Sequence, residues 1–392
     1  MRLGILGVGR IGQMHARHAM DCERVTSVTL YDADGVRATE LADQLRAAAD
    51  ATPARSDSAA AGASNAARSS VAAGASNAAG ASVAGGAAGA SGVRGGGPRP
   101  RRPKPVEARG PSLDAVLADV DAVLVATPTP THADAVSAAL AANVHVLCEK
   151  PLALDPALIT ELHHQVPGGV HLVVGFQRRF DPAYTAIRAA IAGGRYGTVY
   201  VARATAFDHA PPALDYIAGS GGIFVDQFIH DLDALPWLLG ERVVAVQATG
   251  SVLVDPTFAE AGDVDTATVT LRFGSGAIGL VCGGRRNGGG YDNRLELFAE
   301  HASVCTGLDG RTPLTSLEPG GPAPREPHAH FVTRWARAYR HELEAFADVV
   351  DGVAENPSPP LDGLHSLEIA RACELSRRSG REVRIEADRS LR

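Results

Sequence analysis

The feature that most limits how this chain can fold is a glycine-rich turn near its start. In "RLGILGVGRIG" an apolar strand pattern leads into Gly7-x-Gly9-x-x-Gly12, and a helical pattern follows. Gly7 allows a tight turn, Gly9 lets a ligand approach the backbone, and Gly12 lets the helix pack closely on the strand. The N-terminus of that helix then faces the ligand and favours a pyrophosphate group. The turn therefore predicts a Rossmann domain.

An acidic residue extends this prediction to the cofactor. Asp32 ends the second apolar strand, about twenty residues beyond the turn, where a carboxylate accepts hydrogen bonds from the adenosine ribose and repels a 2′-phosphate. Because Asp34 is also acidic and no arginine directly follows Asp32, the sequence favours NAD over NADP. Arg10 and Ile11, inside the turn, complete the cofactor residues predicted here. The alternative to a cofactor site is that the glycine turn is only structural and that Asp32 is a surface residue.

Composition excludes several classes of protein. Hydrophobic residues make up 45% of the chain and charged residues 21%, as in ordinary globular proteins. A formal net charge of −7 argues against general binding of nucleic acids or anionic membranes. We find no apolar run long enough to span a bilayer and no secretory signal. Five scattered cysteines indicate a reduced, cytoplasmic protein with no metal site.

The pattern of apolar and polar residues changes twice along the chain. Short strands alternate with helices up to about residue 150, which predicts a doubly wound parallel sheet. About residues 51–110 interrupt this pattern with Ala, Gly and Ser, and "GASNAA" occurs there twice, so we expect a disordered insertion at a sheet edge. Residues 151–392 alternate as in a large, mostly antiparallel open sheet with helices, an α+β domain. The last helix, about 364–379, could pack back on the first domain.

The stretch "GGIFVDQFIHDLD", residues 221–233, raises a question about buried charge. Read as part of a helix over 221–240, it places Asp226, His230 and Asp233 on one face, because they occupy positions i, i+4 and i+7. Apolar residues cover most of the remaining surface, which predicts burial. These polar side chains then have two possible roles. Either they are catalytic groups that open onto a cavity, or His230 and a carboxylate form hydrogen bonds to each other within the core.

Several longer segments carry a family resemblance. "ATPTPTHADAVSAALAANVHVLCEKPLAL", "VGFQRRFDPAY", "YDNRLELFAE" and "DGLHSLEIARACELSRRSGREV" together resemble the Gfo/Idh/MocA oxidoreductases. The resemblance covers nearly the whole chain outside the insertion. It implies a Rossmann domain joined to an open-sheet α+β domain, often assembled through that sheet as a homotetramer or homodimer.

The resemblance also implies an activity. "SGGIFVDQFIHDLD" is most similar to family members that oxidise inositols and related polyols. We therefore expect an NAD-dependent dehydrogenase that oxidises a secondary hydroxyl of a cyclic polyol, myo-inositol before others, to the ketone. The alternatives are another sugar or polyol as substrate, or a sensor that binds NAD and a sugar without catalysis.

Three residues match the family's catalytic positions. His230 has the intrinsic pKa of a base near neutrality and can accept the hydroxyl proton. Asp226, one turn earlier, is expected to orient the His230 ring. Lys150, at the end of an apolar strand and before Pro151, is expected to stabilise the developing alkoxide. In this mechanism no metal is needed.

The remaining predicted site residues have weaker signals. Thr127 and Glu149 are expected to shape the cofactor pocket, and His132 either caps the helix of residues 133–142 or lines the nicotinamide side. The predicted substrate contacts are Arg178, His209, Asp233 and Tyr291. For Arg178 the alternative is that it, or Arg179, forms an ion pair at the domain interface. For His209 and Tyr291 the alternative is a loop position without a contact to substrate. Trp335 stands where related inositol dehydrogenases tend to have tyrosine, which affects the choice of polyol.

Overall fold

The computed structural model describes residues 1–51, 104–108 and 112–385. Most of the insertion expected over about 51–110 lies outside these residues, so its disorder stays a prediction. The expected end of the insertion was wrong, because Val106–Ala108 form a strand of the first sheet. This strand lies at the edge of the sheet.

The first sheet has six parallel strands and confirms the predicted doubly wound fold. Its order is β3-β2-β1-β4-β5-β6. The strands are β1 (Arg2–Leu6), β2 (Ser27–Tyr31), β3 (Val106–Ala108), β4 (Ala122–Val125), β5 (His145–Glu149) and β6 (Leu172–Gly175). All residues of β4 and β6 are buried, as expected when helices cover both faces of a parallel sheet.

Helices connect these strands. They are α1 (Arg10–Asp21), α2 (Gly35–Ala51), α3 (Leu113–Leu117), α4 (His132–Ala141) and α5 (Pro156–Gln165). The boundary expected at residue 150 is too early for this sheet, because β6 pairs in parallel with β5. The segment "VHLVVGFQRR" lies within residues 151–392, the range expected for the second domain, but its strand completes the first sheet.

The second sheet has seven strands in the order β12-β11-β7-β10-β9-β8-β13. They are β7 (Val199–Phe207), β8 (Val243–Ser251), β9 (Thr266–Phe273), β10 (Ile278–Gly284), β11 (Asp292–Ala299), β12 (Ser303–Thr306) and β13 (Val383–Arg384). Only the pair β7–β10 is parallel, so the predicted, mostly antiparallel open sheet is confirmed.

Seven further helices belong to this half of the chain. They are α6 (Pro182–Ala192), α7 (Leu214–Gly219), α8 (Ile223–Asp226), α9 (Ile229–Leu239), α10 (Thr257–Glu260), α11 (Phe331–Val350) and α12 (Pro360–Ser379). Helix α11 packs against α1, and α12 contacts both α5 and β8, so α12 joins the two sheets. Within the described ranges, no helix is both long and apolar enough to cross a bilayer.

Candidate active site

The glycine turn between β1 and α1 has the geometry of a phosphate-binding loop. Gly7 has a φ of +88°, and a Cβ atom there would lie 2.7 Å from the carbonyl oxygen of Ala126. A Cβ atom on Gly12 would lie 1.9 Å from the carbonyl oxygen of Gly7, so only glycine lets α1 begin this close to β1. No described atom lies within 4 Å of the Cβ position of Gly9, which leaves that side open to a ligand.

The start of α1 suits a negatively charged ligand. Gly9 is its N-cap, and no described side chain caps this end or places an acid in its first turn. Free N–H groups and the helix dipole attract an anion at such an end. Arg10 and Ile11, both predicted to contact the cofactor, form the first turn. The turn therefore fits the diphosphate of a dinucleotide.

Asp32 lies directly beside this turn. Its Oδ2 accepts a hydrogen bond from the N–H of Val8 at 2.8 Å, and its Oδ1 accepts one from the N–H of Asp34 at 2.9 Å. These two bonds fix the carboxylate at the carboxyl end of β2, next to the glycine turn. A carboxylate held there can accept from a ribose hydroxyl, the role that the sequence predicts.

His132 is the first residue of α4, and its ring is buried. Nδ1 lies 2.9 Å from the carbonyl oxygen of Pro151, and Nε2 lies 2.8 Å from the carbonyl oxygen of Thr127. Burial lowers the pKa of His132, although both carbonyls oppose this. The ring thus joins the loop after β4 to the Lys150–Pro151 segment, whose peptide bond is cis. This contact differs from the helix cap considered as one alternative.

The helix expected over 221–240 is two helices, and this changes the site. Helix α8 ends at Asp226, and α9 begins at Ile229. Between them, the N–H of Phe228 bonds to the carbonyl of Ile223 at 2.9 Å, five residues back. This wide turn interrupts the helical period, so the spacing of Asp226 and His230 does not stack their side chains. The predicted contact between them is absent from the described hydrogen bonds, and that prediction was wrong.

Asp226 instead has three other partners. Its Oδ2 accepts from Nη1 of Arg285 at 2.7 Å, and its Oδ1 accepts from the hydroxyl of Tyr216 at 2.7 Å. Lys150 donates to the Asp226 carbonyl at 2.8 Å, with its Nζ 3.7 Å from Oδ1. Burial raises the pKa of Asp226, but the charges of Arg285 and Lys150 outweigh it and keep the pKa below its usual value. The carboxylate is therefore ionised and fixed.

His230 lies near this group as a neutral ring. Burial lowers its pKa well below the usual value, and the positive charges of Lys150 and Arg178 lower it further. Its Nδ1 has no hydrogen-bond partner in the described part of the chain. A neutral imidazole beside an ammonium group can accept a proton, which is the chemistry that the sequence predicts for it.

The arginines and aspartates around α9 form buried ion pairs. Arg178 pairs with Asp231, and Arg179 binds both oxygens of Asp233, with its Nη2 2.5 Å from Oδ1. This is the ion-pair alternative left open for Arg178 and Arg179. Both oxygens of Asp233 are engaged and its side chain is buried. Its prediction as a free acceptor for polyol hydroxyls was therefore wrong.

The other predicted substrate residues differ in their exposure to solvent. Tyr291 is buried, and its hydroxyl accepts from Nε1 of Trp335 at 3.1 Å. Arg178 lies over the Trp335 ring, 5.3 Å from its centre. The tryptophan thus contacts two predicted substrate residues. His209 is exposed just beyond β7.

Sequence reasoning missed three polar residues of this site. Arg285, just beyond β10, and Asp208, just beyond β7, lie at adjacent ends of two paired strands, and Tyr216 lies on α7. Arg285 Nη1 is 3.8 Å from Asp208 Oδ2. Burial raises the pKa of Asp208 to about 6 against the charge of Arg285. The available signal was a charged residue directly after each of two strands, "AFD" and "CGGR".

Comparison with protein families covers both halves of the chain. Residues 1–168 match the oxidoreductase family with an NAD-binding Rossmann fold, and residues 184–305 match the GFO/IDH/MocA C-terminal domain. The residues between the two matches include β6, the last strand of the first sheet.

Individual relatives agree with the family match. The inositol 2-dehydrogenase of Rhizobium meliloti is 38% identical over 279 residues, 70% of this chain and 84% of that protein. The myo-inositol 2-dehydrogenase of Thermotoga maritima is 39% identical over 272 residues, 68% and 80% of the two chains. The crystal structure of a myo-inositol dehydrogenase from Corynebacterium glutamicum superposes with a TM-score of 0.76 at 28% identity, over 98% and 99% of the chains.

Proposed function

The chain belongs to the Gfo/Idh/MocA family of NAD-binding oxidoreductases, and we propose that it oxidises a secondary hydroxyl of myo-inositol to the ketone. The observation that carries the proposal is that Lys150 lies against Asp226 while its positive charge also acts on His230. They lie where β5 of the Rossmann sheet meets α8 and α9 of the second domain. Bound NAD would supply the acceptor for the hydride that leaves the carbinol carbon.

His230 takes the hydroxyl proton in this mechanism. Its ring is neutral because burial and the charges of Lys150 and Arg178 disfavour the imidazolium form. As the carbon loses its hydride and the oxygen its proton, negative charge develops on that oxygen and a carbonyl forms. The ammonium group of Lys150 stabilises this charge without having to move, which is the largest kind of contribution in such reactions.

Asp226 positions Lys150 rather than His230. It holds the ammonium group through its backbone carbonyl and its charge, and Arg285 and Tyr216 hold the carboxylate itself. Three fixed contacts leave Asp226 little freedom to rotate. A proton acceptor and a cation placed separately around one hydroxyl are the elements that alcohol oxidation requires.

Both relatives above, each more than a third identical to this chain, are inositol dehydrogenases, and the Thermotoga protein, a myo-inositol 2-dehydrogenase, supports the choice of myo-inositol. Purified protein should reduce NAD with myo-inositol, measured as NADH absorbance, and a panel of other inositols, hexoses and uronic acids tests the choice. Faster turnover of an unrelated sugar would overturn the inositol assignment and keep the reaction type.

A sensor that binds NAD and a sugar without catalysis is the alternative from another class. Lys150→Ala distinguishes the two, because it removes the cation and leaves the glycine turn intact. We expect turnover to fall by roughly two to three orders of magnitude with NAD affinity nearly unchanged. Absence of turnover in the unmodified protein, with NAD and inositol both bound, would favour the sensor.

We also expect the chain to form a homodimer or homotetramer through the open sheet. Ile278 and Phe298, on strands either side of β7, both pair with Val201 and are 42% and 40% exposed. Apolar side chains on one sheet face favour burial against another surface. Light scattering on unmodified protein and on Ile278→Glu tests this, and a monomer in both would contradict it.

A further inference from the structure

A second group of titratable side chains lies where α1, β5 and α11 meet. His15, Glu149 and Glu342 each offer one ligand atom, and these atoms all lie within 4.8 Å of one another. Nε2 of His15 is 2.8 Å from Oε1 of Glu149. The three residues are 0%, 8% and 1% exposed, so water does not screen their charges. The catalytic roles proposed above do not use this group.

Within the described residues, the protein supplies no partner for one of the two carboxyl groups. Neither oxygen of Glu342 has a hydrogen-bond partner among the residues that the structure describes. In the same residues, neither Glu149 nor Glu342 forms an ion pair with a lysine or arginine, and His15 is the one hydrogen-bond partner of the Glu149 side chain. A buried ion without a partner costs several kcal/mol. The Glu342 carboxyl, beside Glu149 and His15, therefore needs either a positive ligand or a proton.

We propose that His15, Glu149 and Glu342 bind one divalent transition-metal ion of the Zn²⁺ or Mn²⁺ type. Two carboxylates and a neutral imidazole balance its charge, and nitrogen with oxygen is a ligand set that suits such ions. Bonds of about 2.1 Å place two ligands of one ion at most about 4.2 Å apart. Small side-chain rotations would close the distances seen here, and water would fill the remaining position.

The ion would act as a structural clamp. It would tie α1, which begins at the glycine turn, to α11 near the end of the chain and to β5. Because Glu149 directly precedes Lys150, the clamp would also hold the backbone that carries the proposed catalytic lysine. The three ligands are far apart in sequence and form no spacing motif. For that reason the sequence indicated no metal site.

A proton is the competing occupant. Burial and the charge of Glu149 raise the pKa of Glu342 well above its usual value, so in the absence of a cation this carboxyl holds a proton. A metal ion must displace that proton, so its affinity should rise with pH. This competition makes the two occupants distinguishable by experiment.

Untagged full-length protein, treated with a chelator and desalted, is titrated with Zn²⁺ and Mn²⁺ by calorimetry and then measured by elemental analysis. We expect one ion per chain, and Glu342→Gln should weaken binding by at least about tenfold. Glu344→Gln, on the same helix but paired with Arg340, is the matched control and should bind like the unmodified protein. Equal binding by Glu342→Gln, or no binding by the unmodified protein, would overturn the proposal in favour of the proton.

A second measurement covers the case in which Glu342→Gln does not fold. Pulsed electron paramagnetic resonance of Mn²⁺ added to unmodified protein detects an imidazole nitrogen bound to the ion. Coupling to one histidine nitrogen, lost in His15→Gln, supports the site. Bound Mn²⁺ without nitrogen coupling would overturn it. Neither result depends on polyol turnover, so a wrong choice of substrate leaves this test intact.

Discussion

Arg285 and Asp226 form a buried ion pair that no local pattern in the sequence marks. Nη1 of Arg285 lies 2.7 Å from Oδ2 of Asp226, and the arginine side chain is only 2% exposed. The pair joins the end of β10 to the end of α8. Since Oδ1 of the same carboxylate lies 3.7 Å from Nζ of Lys150, the arginine acts on the proposed chemistry through Asp226.

Replacing this arginine should slow catalysis. In Arg285→Ala, the Asp226 carboxylate loses its main counter-charge and can rotate, which moves its negative charge away from the Lys150 ammonium group. We expect kcat for polyol oxidation to fall about a hundredfold, because a small misplacement of a catalytic group can reduce the rate by this factor. The KM for NAD should be nearly unchanged. Steady-state kinetics with each substrate varied separately measures both values.

Two further variants make this prediction specific. Arg285→Lys keeps a cation and should recover part of kcat. Arg272→Ala removes an exposed arginine of β9, paired with Glu382, and should behave like the unmodified enzyme. If Arg285→Ala folds and keeps full kcat, then Asp226 does not depend on this pair.

The pH dependence of oxidation should reflect the neutral ring of His230. Burial and the charges of Lys150 and Arg178 lower the pKa of His230 well below 6.5. Oxidation needs the unprotonated ring, so kcat/KM should lose no His230-dependent activity between about pH 8 and about pH 6.5 and should decline only at lower pH. A His230-dependent decline centred above 6.5 would contradict this assignment.

Removal of the lysine charge tests the cause of that shift. In Lys150→Gln the pKa of His230 should rise, because one of the two positive charges that lower it is gone. Nuclear magnetic resonance of histidine-labelled protein follows the ring through a pH titration, and His230→Gln identifies its signal. An unchanged titration in Lys150→Gln would show that the charge of Lys150 does not lower the pKa of His230.

Lowering the pH should destabilise the contact between α1 and α11, because His18 in α1 becomes protonated. Burial, followed by the charge of His15, lowers the pKa of His18 to about 4. The unfolded chain therefore binds more protons below pH 6.5, so this contribution to stability is complete above 6.5 and is lost as the pH falls toward 4. After allowance for partial exposure of the ring, we expect a loss of about 2 kcal/mol from this group.

Chemical denaturation at several pH values measures that loss. His18→Gln should lose less stability than the unmodified protein between about pH 6.5 and about pH 4, because glutamine does not titrate. His164→Gln, which replaces an exposed histidine of α5, should follow the unmodified protein. Identical pH profiles for His18→Gln and the unmodified protein would exclude His18 as a cause.

The local sequence was sufficient to predict the parts of the site that are built from neighbouring residues. Gly7 and Gly12 meet atoms of their own turn or of the neighbouring strand, so the spacing of the glycines alone predicts the loop. Asp32 follows from the same unit, since the strand that it ends pairs with β1. These positions agree with the structure because few alternative backbone paths satisfy them.

Sequence was insufficient where pairing between distant strands builds the site. Asp208 and Arg285 meet only because β7 and β10 pair in parallel, and neither segment encodes that choice of partner. The contact of Asp226 with His230 was expected from an unbroken helical period, but the wide turn at Phe228 breaks it. The strand of residues 172–175 has a pattern that suits either sheet, so its place could not be predicted.

Asp32 should determine the choice between NAD and NADP. Its carboxylate, fixed by the N–H groups of Val8 and Asp34, would face a 2′-phosphate with like charge. Such repulsion, with loss of the ribose hydrogen bond, costs roughly 2–4 kcal/mol, or about thirty- to a thousandfold in selectivity.

A double substitution should reverse this preference. Asp32→Ser combined with Ala33→Arg removes the repelling charge and adds a cation at an exposed position that can bind the phosphate. We expect kcat/KM to rise with NADP and to fall with NAD, measured with the same polyol. Asp34→Ser removes a nearby exposed acid and is the matched control, because its charge is paired with Arg37. If the unmodified protein already prefers NADP, then the carboxylate of Asp32 does not face the ribose.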